Sequence, residues 1–140
     1  MNGTIELILL PVADVDRAKE FYVGTCGFDL VVDYAPSDTF RIVQCQPSGS
    51  ACAIGFGVGI QTETPPGSVR GIHLMVADIV AARDELVARG VEVEPIVNFG
   101  AEGRSSEGPH PERTDYGSFA SFRDPDGNSW LLQERGYTKT

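Results

Sequence analysis

Imidazole is the side chain whose ordinary pKa, about 6.5, lies nearest to neutrality, so acid–base chemistry is sought first at histidine. The chain has two histidines, His73 and His110. His73 falls on a predicted strand that faces a predicted pocket, where Gln44 or Gln133 could help it to move a proton. No carboxylate can be placed beside it, so the alternative is a hydrogen-bonded histidine with no chemical role. Both interpretations stay open.

The three cysteines, Cys26, Cys45 and Cys52, provide thiols but no recognisable site. Their number is odd and their spacing is not that of a metal site. Inert thiols are typical of a reducing compartment, and the first residues lack the basic and apolar segments of a signal peptide. The sequence therefore predicts a cytoplasmic protein.

Composition and charge exclude several classes of partner. Hydrophobic residues make up 41% of the 140 residues and charged residues 22%, which is typical of one globular domain, here residues 1–140. The formal net charge is −9, and no predicted element carries a basic cluster, so phosphate backbones are repelled. We expect no binding to nucleic acid and no membrane span.

The elements that position these residues occur twice. Residues 12–15, Val-Ala-Asp-Val, match residues 76–79, Val-Ala-Asp-Ile, and the turn Gln46–Gly49 resembles the turn Asp124–Gly127. We predict two βαβββ modules, at about 4–60 and 69–136, with a polar connector at 61–68. The predicted elements are, in order, strand 5–12, a helix capped by Asp14, strands 28–34, 40–46 and 51–57, strand 71–76, a helix capped by Asp78 and ended at Gly90, a third element at 91–94, a loop of about 100–116, and hairpin strands 118–122 and 128–133.

The second turn sets the register of the last hairpin. Pro125 fixes φ, Asp124 can accept a backbone N–H, and Gly127 lets the chain leave a type I turn. Alternation then places Trp130 in the core. If the loop has four residues, the pairs on the cavity side are Ala120 with Leu131, Ser118 with Gln133, and Phe122 with Ser129. In the first module the matching pairs are Gln44 with Ala51, Ile42 with Ala53, and Phe40 with Gly55.

Three motifs carry a resemblance to a known family: Val-Ala-Asp with its following helix, Phe21-Tyr22 followed by Cys26-Gly27-Phe28, and Asp124–Asn128. With them the chain resembles the vicinal oxygen chelate superfamily, which includes glyoxalase I, bleomycin-resistance proteins and extradiol dioxygenases. The resemblance spans Ile5–Glu134. It implies an α+β fold in which tandem βαβββ modules form curved mixed sheets around a central cavity, with the helices on the outer face. It also implies a homodimer.

The resemblance places metal ligands at four positions. Metal-using members carry a His or Gln seven residues before each helix-capping Asp and a Glu four residues after each turn glycine. Here the four positions hold Leu7, Gly71, Ala53 and Leu131, whose side chains have no lone pair for a metal. A shift of two residues brings in only His73. We therefore expect no metal and no other cofactor.

The predicted pocket is small and apolar with a few polar groups, which suits an organic ligand. Its lining residues are Leu7, Leu9, Phe40, Ile42, Gln44, Ala53, His73, Met75, Ser118, Phe122, Leu131 and Gln133. The loop at 100–116 is predicted either to cover the pocket as a lid that brings in His110, Arg113 and Tyr116, or to be a solvated surface loop.

Three functions fit these expectations. The first is a metal-independent protein that binds a hydrophobic or aromatic small molecule, similar to the bleomycin-resistance branch. The second is a metal-independent isomerase, cyclase or lyase that uses His73 as its acid–base group. The third, which requires ligands at other positions, is a metal-dependent lyase similar to glyoxalase I or an enzyme similar to the extradiol dioxygenases.

Overall fold

The computed structural model describes residues 1–60, 63–100 and 103–139, which fold into two compact units. The first unit comprises Met1–Val69 together with Asp124–Asn128, and the second comprises Arg70–Arg123 together with Ser129–Thr140. Part of the predicted connector, residues 61–62, and part of the predicted loop, residues 101–102, lie outside the described residues.

A four-stranded mixed sheet forms the centre of the first unit. The strand order is β1-β4-β3-β2, with β1 parallel to β4 and the other neighbours antiparallel. The elements are β1 (Leu7–Leu9), helix α1 (Val15–Lys19), a π-helical segment (Glu20–Thr25), β2 (Asp29–Ser37), β3 (Phe40–Gln46) and β4 (Ala53–Val58).

The helical segment of the first unit packs on its sheet through Tyr22. Asp14 caps α1 as predicted, because its Oδ1 accepts the Arg17 N–H at 3.0 Å. The Tyr22 ring is fully buried and lies 5.7 Å from the Phe28 ring and 5.8 Å from the Phe56 ring, centroid to centroid. This aromatic cluster, with Val43 and Cys45, forms the core of the unit.

The second unit is built on a five-stranded sheet. Its order is β5-β9-β8-β6-β7, with β5 parallel to β9. The elements are β5 (Ile72–Val76), helix α2 (Ile79–Ala88), β6 (Val97–Phe99), β7 (Ser105–Glu107), β8 (Ser118–Arg123) and β9 (Ser129–Glu134). Asp78 caps α2 by accepting the Ala81 N–H, and Gly90 follows the helix with φ 98°, both as predicted.

Burial alternates along the central strands β8 and β9, so one face of this sheet is core. Phe122 and Trp130 are 2% and 3% exposed and stack with ring centroids 5.9 Å apart. Ala120 and Leu132 lie on the same buried face. The residues that alternate with them along the two strands, Phe119, Ser121, Leu131 and Gln133, are half-buried. The predicted core position of Trp130 is confirmed.

The predicted α+β class with two mixed sheets is confirmed. Within the described part of the chain, neither helix has the length and apolar character to cross a bilayer. The prediction that residues 1–140 form a single domain stays a prediction.

Two element predictions are wrong. Residues 91–94 make only an isolated bridge between Val93 and Phe122, not a strand. The predicted loop contains β7, which pairs with β6, so this region is a short hairpin. The hairpin depends on a polar contact that no apolar alternation reveals: buried Asn98 donates to the Gly108 carbonyl at 2.8 Å and accepts from the Ser106 hydroxyl at 3.0 Å.

The predicted registers are also wrong, with different consequences. In the first unit Gln44 lies opposite Gly55 and Ile42 opposite Gly57, a slip of four residues that keeps each side chain on its predicted face. In the second unit Ala120 lies opposite Leu132, and Ser121 opposite Leu131. The loop between β8 and β9 has five residues rather than four, because Asn128 belongs to it, and one extra residue exchanges the faces of β8.

Candidate functional site

The non-core face of the five-stranded sheet is the candidate site of the second unit, and two rows of side chains cross it. Strand pairing sets Met75 beside Gln133, Gln133 beside Phe119, Phe119 beside Val97, and Val97 beside Glu107. A second row sets His73 beside Leu131 and Leu131 beside Ser121. Neighbouring strands lie about 4.8 Å apart, so each row is an extended strip of surface.

An open pocket of about 300 Å³ lies at the β6–β8 side of this face. Its apolar lining includes Val97, Phe119 and Leu131, and it is also lined by two exposed carboxylates, Glu94 and Glu107. The remaining lining residues are Pro95, Ala120 and Ser121. The pocket can hold the apolar body of a small molecule against Phe119 and Leu131.

His73 and Gln133 form the polar part of the same face. The His73 Nδ1 lies 2.9 Å from the Gln133 Oε1, and the Gln133 Nε2 donates to the Tyr116 carbonyl at 3.4 Å. His73 and Met75 are exposed at the outer strand β5, next to half-buried Leu131 and Gln133. The structure therefore places four of the predicted ligand-binding residues on one face: His73, Met75, Leu131 and Gln133.

The non-core face of the first unit's sheet holds the ligand-binding residues predicted in the first module. Leu7 lies opposite Ala53 and Leu9 opposite Gly55, and Gly55 is next to Gln44. A Cβ at Gly55 would lie 2.9 Å from Leu7 Cδ1, so the glycine makes room for the leucine side chains over β4. Phe40 and Ile42 share this face by alternation along β3. The residues that β1, β3 and β4 place on this face are apolar except for Gln44 and Gln46.

Two predicted ligand-binding residues, Ser118 and Phe122, face the wrong way for that role. Both lie on the buried face of β8, 0% and 2% exposed, because the loop is one residue longer than predicted. Their places on the site face are taken by Phe119 and Ser121, which the sequence argument missed. Asn128 is the residue from which they could have been found. If it is counted in the loop between β8 and β9, the pairing becomes Phe119 with Gln133 and Ser121 with Leu131.

The positions at which the family resemblance implies metal ligands can now be located. Leu7 and Ala53 lie opposite each other in the first unit, and in the second unit Leu131 lies opposite His73 rather than Gly71. Within the residues that the structure describes, no group of three or more His, Cys, Asp or Glu side chains is arranged to hold a metal ion. His73 is the one metal-capable side chain among the paired positions.

The predicted lid residues have partners of their own. The Arg113 guanidinium donates to both carboxylate oxygens of Glu134, at 2.8 and 2.5 Å, and to Asp78 at 3.2 Å. The His110 N–H donates to the Ser118 hydroxyl at 2.9 Å. Arg113 and His110 therefore contact residues of the buried face, whereas the exposed Tyr116 reaches Gln133 through its carbonyl.

Glu134 is a fully buried carboxylate that joins β9 to helix α2. Its Oε2 accepts the Ile79 N–H at 2.8 Å in addition to the two bonds from Arg113. Burial by itself raises the pKa of Glu134, but the hydrogen bonds from Arg113 and Ile79 outweigh it and hold the pKa below its usual value. As alternation predicts, Glu134 points away from the candidate site.

The thiols do not add chemistry to either face. Cys26 and Cys45 are buried, and burial raises the pKa of Cys45 to about 12, which keeps this thiol protonated. The half-buried Cys52 thiol donates to the Ala53 carbonyl at 3.5 Å, and the Cys52 N–H donates to the Ser50 hydroxyl at 3.3 Å.

Comparison with known proteins gives consistent matches over nearly the whole chain. The family model described as Glyoxalase/Bleomycin resistance protein/Dioxygenase superfamily matches residues 4–132. The solved structure of TnmS3, an antibiotic binding protein from Streptomyces sp. CB03234, is 34% identical with a TM-score of 0.72, covering 95% of this chain and 96% of that one.

Two further relatives are more distant. A superfamily member from Sphaerobacter thermophilus DSM 20745 is 27% identical with a TM-score of 0.72, covering 96% of this chain and 98% of that one. The uncharacterized protein YetH of Bacillus subtilis (strain 168) is 25% identical over 134 residues, which are 96% of this chain and 100% of YetH.

Proposed function

This chain belongs to the glyoxalase/bleomycin resistance protein/dioxygenase superfamily, and from that premise we propose that it binds a small hydrophobic or aromatic organic molecule without a metal. The observation that carries the proposal is the pocket of about 300 Å³ whose apolar lining includes Val97, Phe119 and Leu131. The similarity to an antibiotic binding protein supports the same reading.

The size of the pocket sets what the apolar contact can contribute. A flat aromatic ligand that buries about 150 Å² of apolar surface gains about 4 kcal/mol, and the loss of its translational and rotational freedom offsets most of that gain. Tighter binding requires polar contacts, and His73 and Gln133 supply them on the same face. The ligand is therefore both apolar and capable of hydrogen bonding.

Metal independence rests on the residue types at the four family positions. Leu7, Ala53, Gly71 and Leu131 provide no ligand atom, and a divalent ion needs more than the single imidazole of His73. In the proposal the apolar face replaces the metal as the main source of affinity.

The test is a ligand screen of the full chain with a metal control. We expect stoichiometric binding of aromatic compounds, followed by calorimetry and thermal shift, that is unchanged by a chelator. Binding that appears only after a divalent ion is added would contradict metal independence. Binding without any change in the recovered compound would identify a binding protein rather than an enzyme.

A second candidate, a metal-independent isomerase, cyclase or lyase, is favoured by the 2.9 Å contact between His73 and Gln133. This contact orients an imidazole that could transfer a proton. The discriminating variant is His73→Ala, which should abolish turnover but weaken ligand binding by no more than about tenfold if the protein is an enzyme. Product analysis of each bound compound supplies the measurement.

The chain is also proposed to form a homodimer, which is an expectation from the family. Sedimentation velocity over a range of protein concentrations tests this directly. A single species with the mass of one chain at every concentration would contradict it.

A further inference from the structure

We propose that the network of Tyr116, Gln133 and His73 fixes one tautomer of the His73 imidazole, so that its Nε2 is a bare acceptor that receives a hydrogen bond from the ligand. The part that concerns the ligand rests on the proposed function, whereas the tautomer does not. The group of the ligand that meets this nitrogen is then a hydroxyl or N–H donor, and Gln133 is a positioning residue.

The two ends of the Gln133 amide have different partners. The Gln133 Nε2 donates to the Tyr116 carbonyl at 3.4 Å, and the Oε1 lies 2.9 Å from the His73 Nδ1. Rotating the amide by half a turn would bring its carbonyl oxygen against the Tyr116 carbonyl, which would oppose two acceptors. The Tyr116 carbonyl therefore determines which end of the amide faces the imidazole.

The Tyr116 carbonyl is itself held in place by the backbone. The Tyr116 N–H donates to the Glu134 carbonyl at 2.8 Å, and the residue has φ 65°, a left-handed conformation that is uncommon for a residue with a side chain. The Arg135 guanidinium lies 5.6 Å from the centre of the Tyr116 ring. These contacts tie residue 116 to the end of β9, beside Gln133.

The proton position on His73 follows from the amide. A carbonyl oxygen only accepts, so the Nδ1 that faces the Gln133 Oε1 must carry the proton. A neutral imidazole has one N–H, so the Nε2 is then an acceptor. No other described residue bonds the exposed imidazole of His73, and its strand neighbours on this face are Met75 and Leu131.

The bare nitrogen restricts the ligand. A hydroxyl, phenol or amine hydrogen can donate to the His73 Nε2 while the apolar body of the ligand lies on Leu131 and Phe119. An ether or carbonyl oxygen at the same point would place two acceptors together and leave the nitrogen without a partner. The face should therefore distinguish an aromatic alcohol from its methyl ether.

The chain contains its own reference for the tautomer. The Nδ1 of His110 accepts the Glu112 N–H at 3.1 Å, so its proton must lie on Nε2. His73 and His110 are the two histidines of the sequence. The two imidazoles are therefore expected to have opposite tautomers in one sample.

The tautomers can be measured by nitrogen-15 NMR of the full chain labelled at histidine, at about pH 9, above the ordinary imidazole pKa of about 6.5. We expect a proton on Nδ1 for His73 and on Nε2 for His110. Gln133→Leu should move His73 to a mixture, Gln133→Glu should keep the proton on Nδ1, and His110 should not change in either. A His73 proton on Nε2 in the unsubstituted chain would overturn the inference.

The ligand arm uses 2-naphthol and 2-methoxynaphthalene, which differ in the hydrogen-bond donor. We expect 2-naphthol to bind about tenfold more tightly and to shift the His73 Nε2 signal, and the difference to vanish in His73→Phe. Equal binding of both compounds to the unsubstituted chain would overturn the inference and leave the proposed function standing. If neither binds, the proposed aromatic site fails, and with it the acceptor role of Nε2.

Discussion

Leu131 lies at the centre of the candidate face, next to His73 on one side and Ser121 on the other. It borders the pocket, and it occupies one of the positions at which the family carries a metal-binding glutamate. We expect Leu131→Glu to weaken binding of an aromatic ligand at least about tenfold, because it removes apolar contact and introduces a charge. Calorimetry with the best compound of the screen measures the loss.

The matched control for this variant is Val87→Glu, which adds the same charge to an exposed residue of helix α2. Ligand binding should be unchanged there. Because Leu131 is only half-buried, Leu131→Glu should also alter the free energy of unfolding by no more than about 1 kcal/mol. Equal loss of binding in both variants would show that the effect comes from net charge and not from the face.

Glu134 gives a residue-scale prediction about acid stability. Its pKa is lower in the folded chain than in the unfolded chain, so the folded state gains stability from the carboxylate above the ordinary pKa of about 4.3. This contribution is lost as the pH falls from that value through the lowered folded pKa. Urea unfolding between about pH 6 and pH 3 should therefore show falling stability, and Glu134→Gln should flatten part of that fall.

The same substitution should be costly at neutral pH. Glu134→Gln breaks the buried ion pair with Arg113 and leaves Asp78 as the remaining carboxylate partner of the guanidinium, so the cost should be up to about 3–5 kcal/mol, that of breaking a buried pair. The control is Glu85→Gln, which removes an exposed pair with Arg89 on helix α2 and should cost no more than about 0.5 kcal/mol. Similar losses in the two variants would contradict the role given to Glu134.

At the scale of elements, the turn Asp124–Asn128 is held by a dense set of bonds within the first unit. The Asp124 Oδ1 accepts three N–H groups, from residues 126, 127 and 128, and its Oδ2 accepts the Tyr22 hydroxyl at 2.7 Å. Asn128 donates to the Pro11 carbonyl and to Asp124, and accepts the Val69 N–H.

These contacts predict which of two substitutions at the turn lowers the free energy of unfolding more. Tyr22→Phe removes one hydrogen bond to a carboxylate that keeps its other partners, and should cost about 1.5–3 kcal/mol. Asn128→Ala removes three bonds, those to the Pro11 carbonyl and Asp124 and the one from the Val69 N–H, so its cost should be larger, about 3 kcal/mol or more. Urea unfolding of both variants tests the order, and a smaller loss in Asn128→Ala would contradict it.

Short-range signals predicted most of the elements correctly. The caps Asp14 and Asp78, the turn residues and the alternation in β9 each depend on neighbours within a few residues, and these predictions agree with the structure. Loop length in the last hairpin depends on Asn128, whose partners Pro11 and Val69 are distant in sequence. That dependence is why the register prediction was wrong and why Phe119 was missed, whereas alternation within β5 and β9 correctly placed His73 and Gln133 on one face of the sheet.

At the scale of the whole molecule, the two units are not two consecutive stretches of chain. The turn Asp124–Asn128 is counted with the first unit although the strands on either side of it belong to the second. A fragment that ends at Val69 lacks the carboxylate of Asp124 for the buried Tyr22 hydroxyl and the amide of Asn128 for Pro11. We expect such a fragment to be largely unfolded.

Circular dichroism and urea unfolding of residues 1–69 test this expectation against the full chain. The matched comparison is the fragment of residues 1–69 that carries Tyr22→Phe. This variant has no hydroxyl at residue 22 and so does not need the carboxylate of Asp124. If the unsubstituted fragment unfolds as cooperatively as the full chain, then the turn is not required by the first unit.

The arrangement of the turn also limits how this fold can be recombined. In a duplicated protein whose two halves each contain all residues of their own unit, one crossover in the connector can join the halves of two relatives. Here a chimera joined at residue 69 would receive its first unit from one parent and residues 124–128 from the other. Chimeras that fold should therefore be those in which Asp124 and Asn128 come from the same parent as Tyr22. Tyr22 and this turn are then expected to be inherited together, although they are distant in sequence.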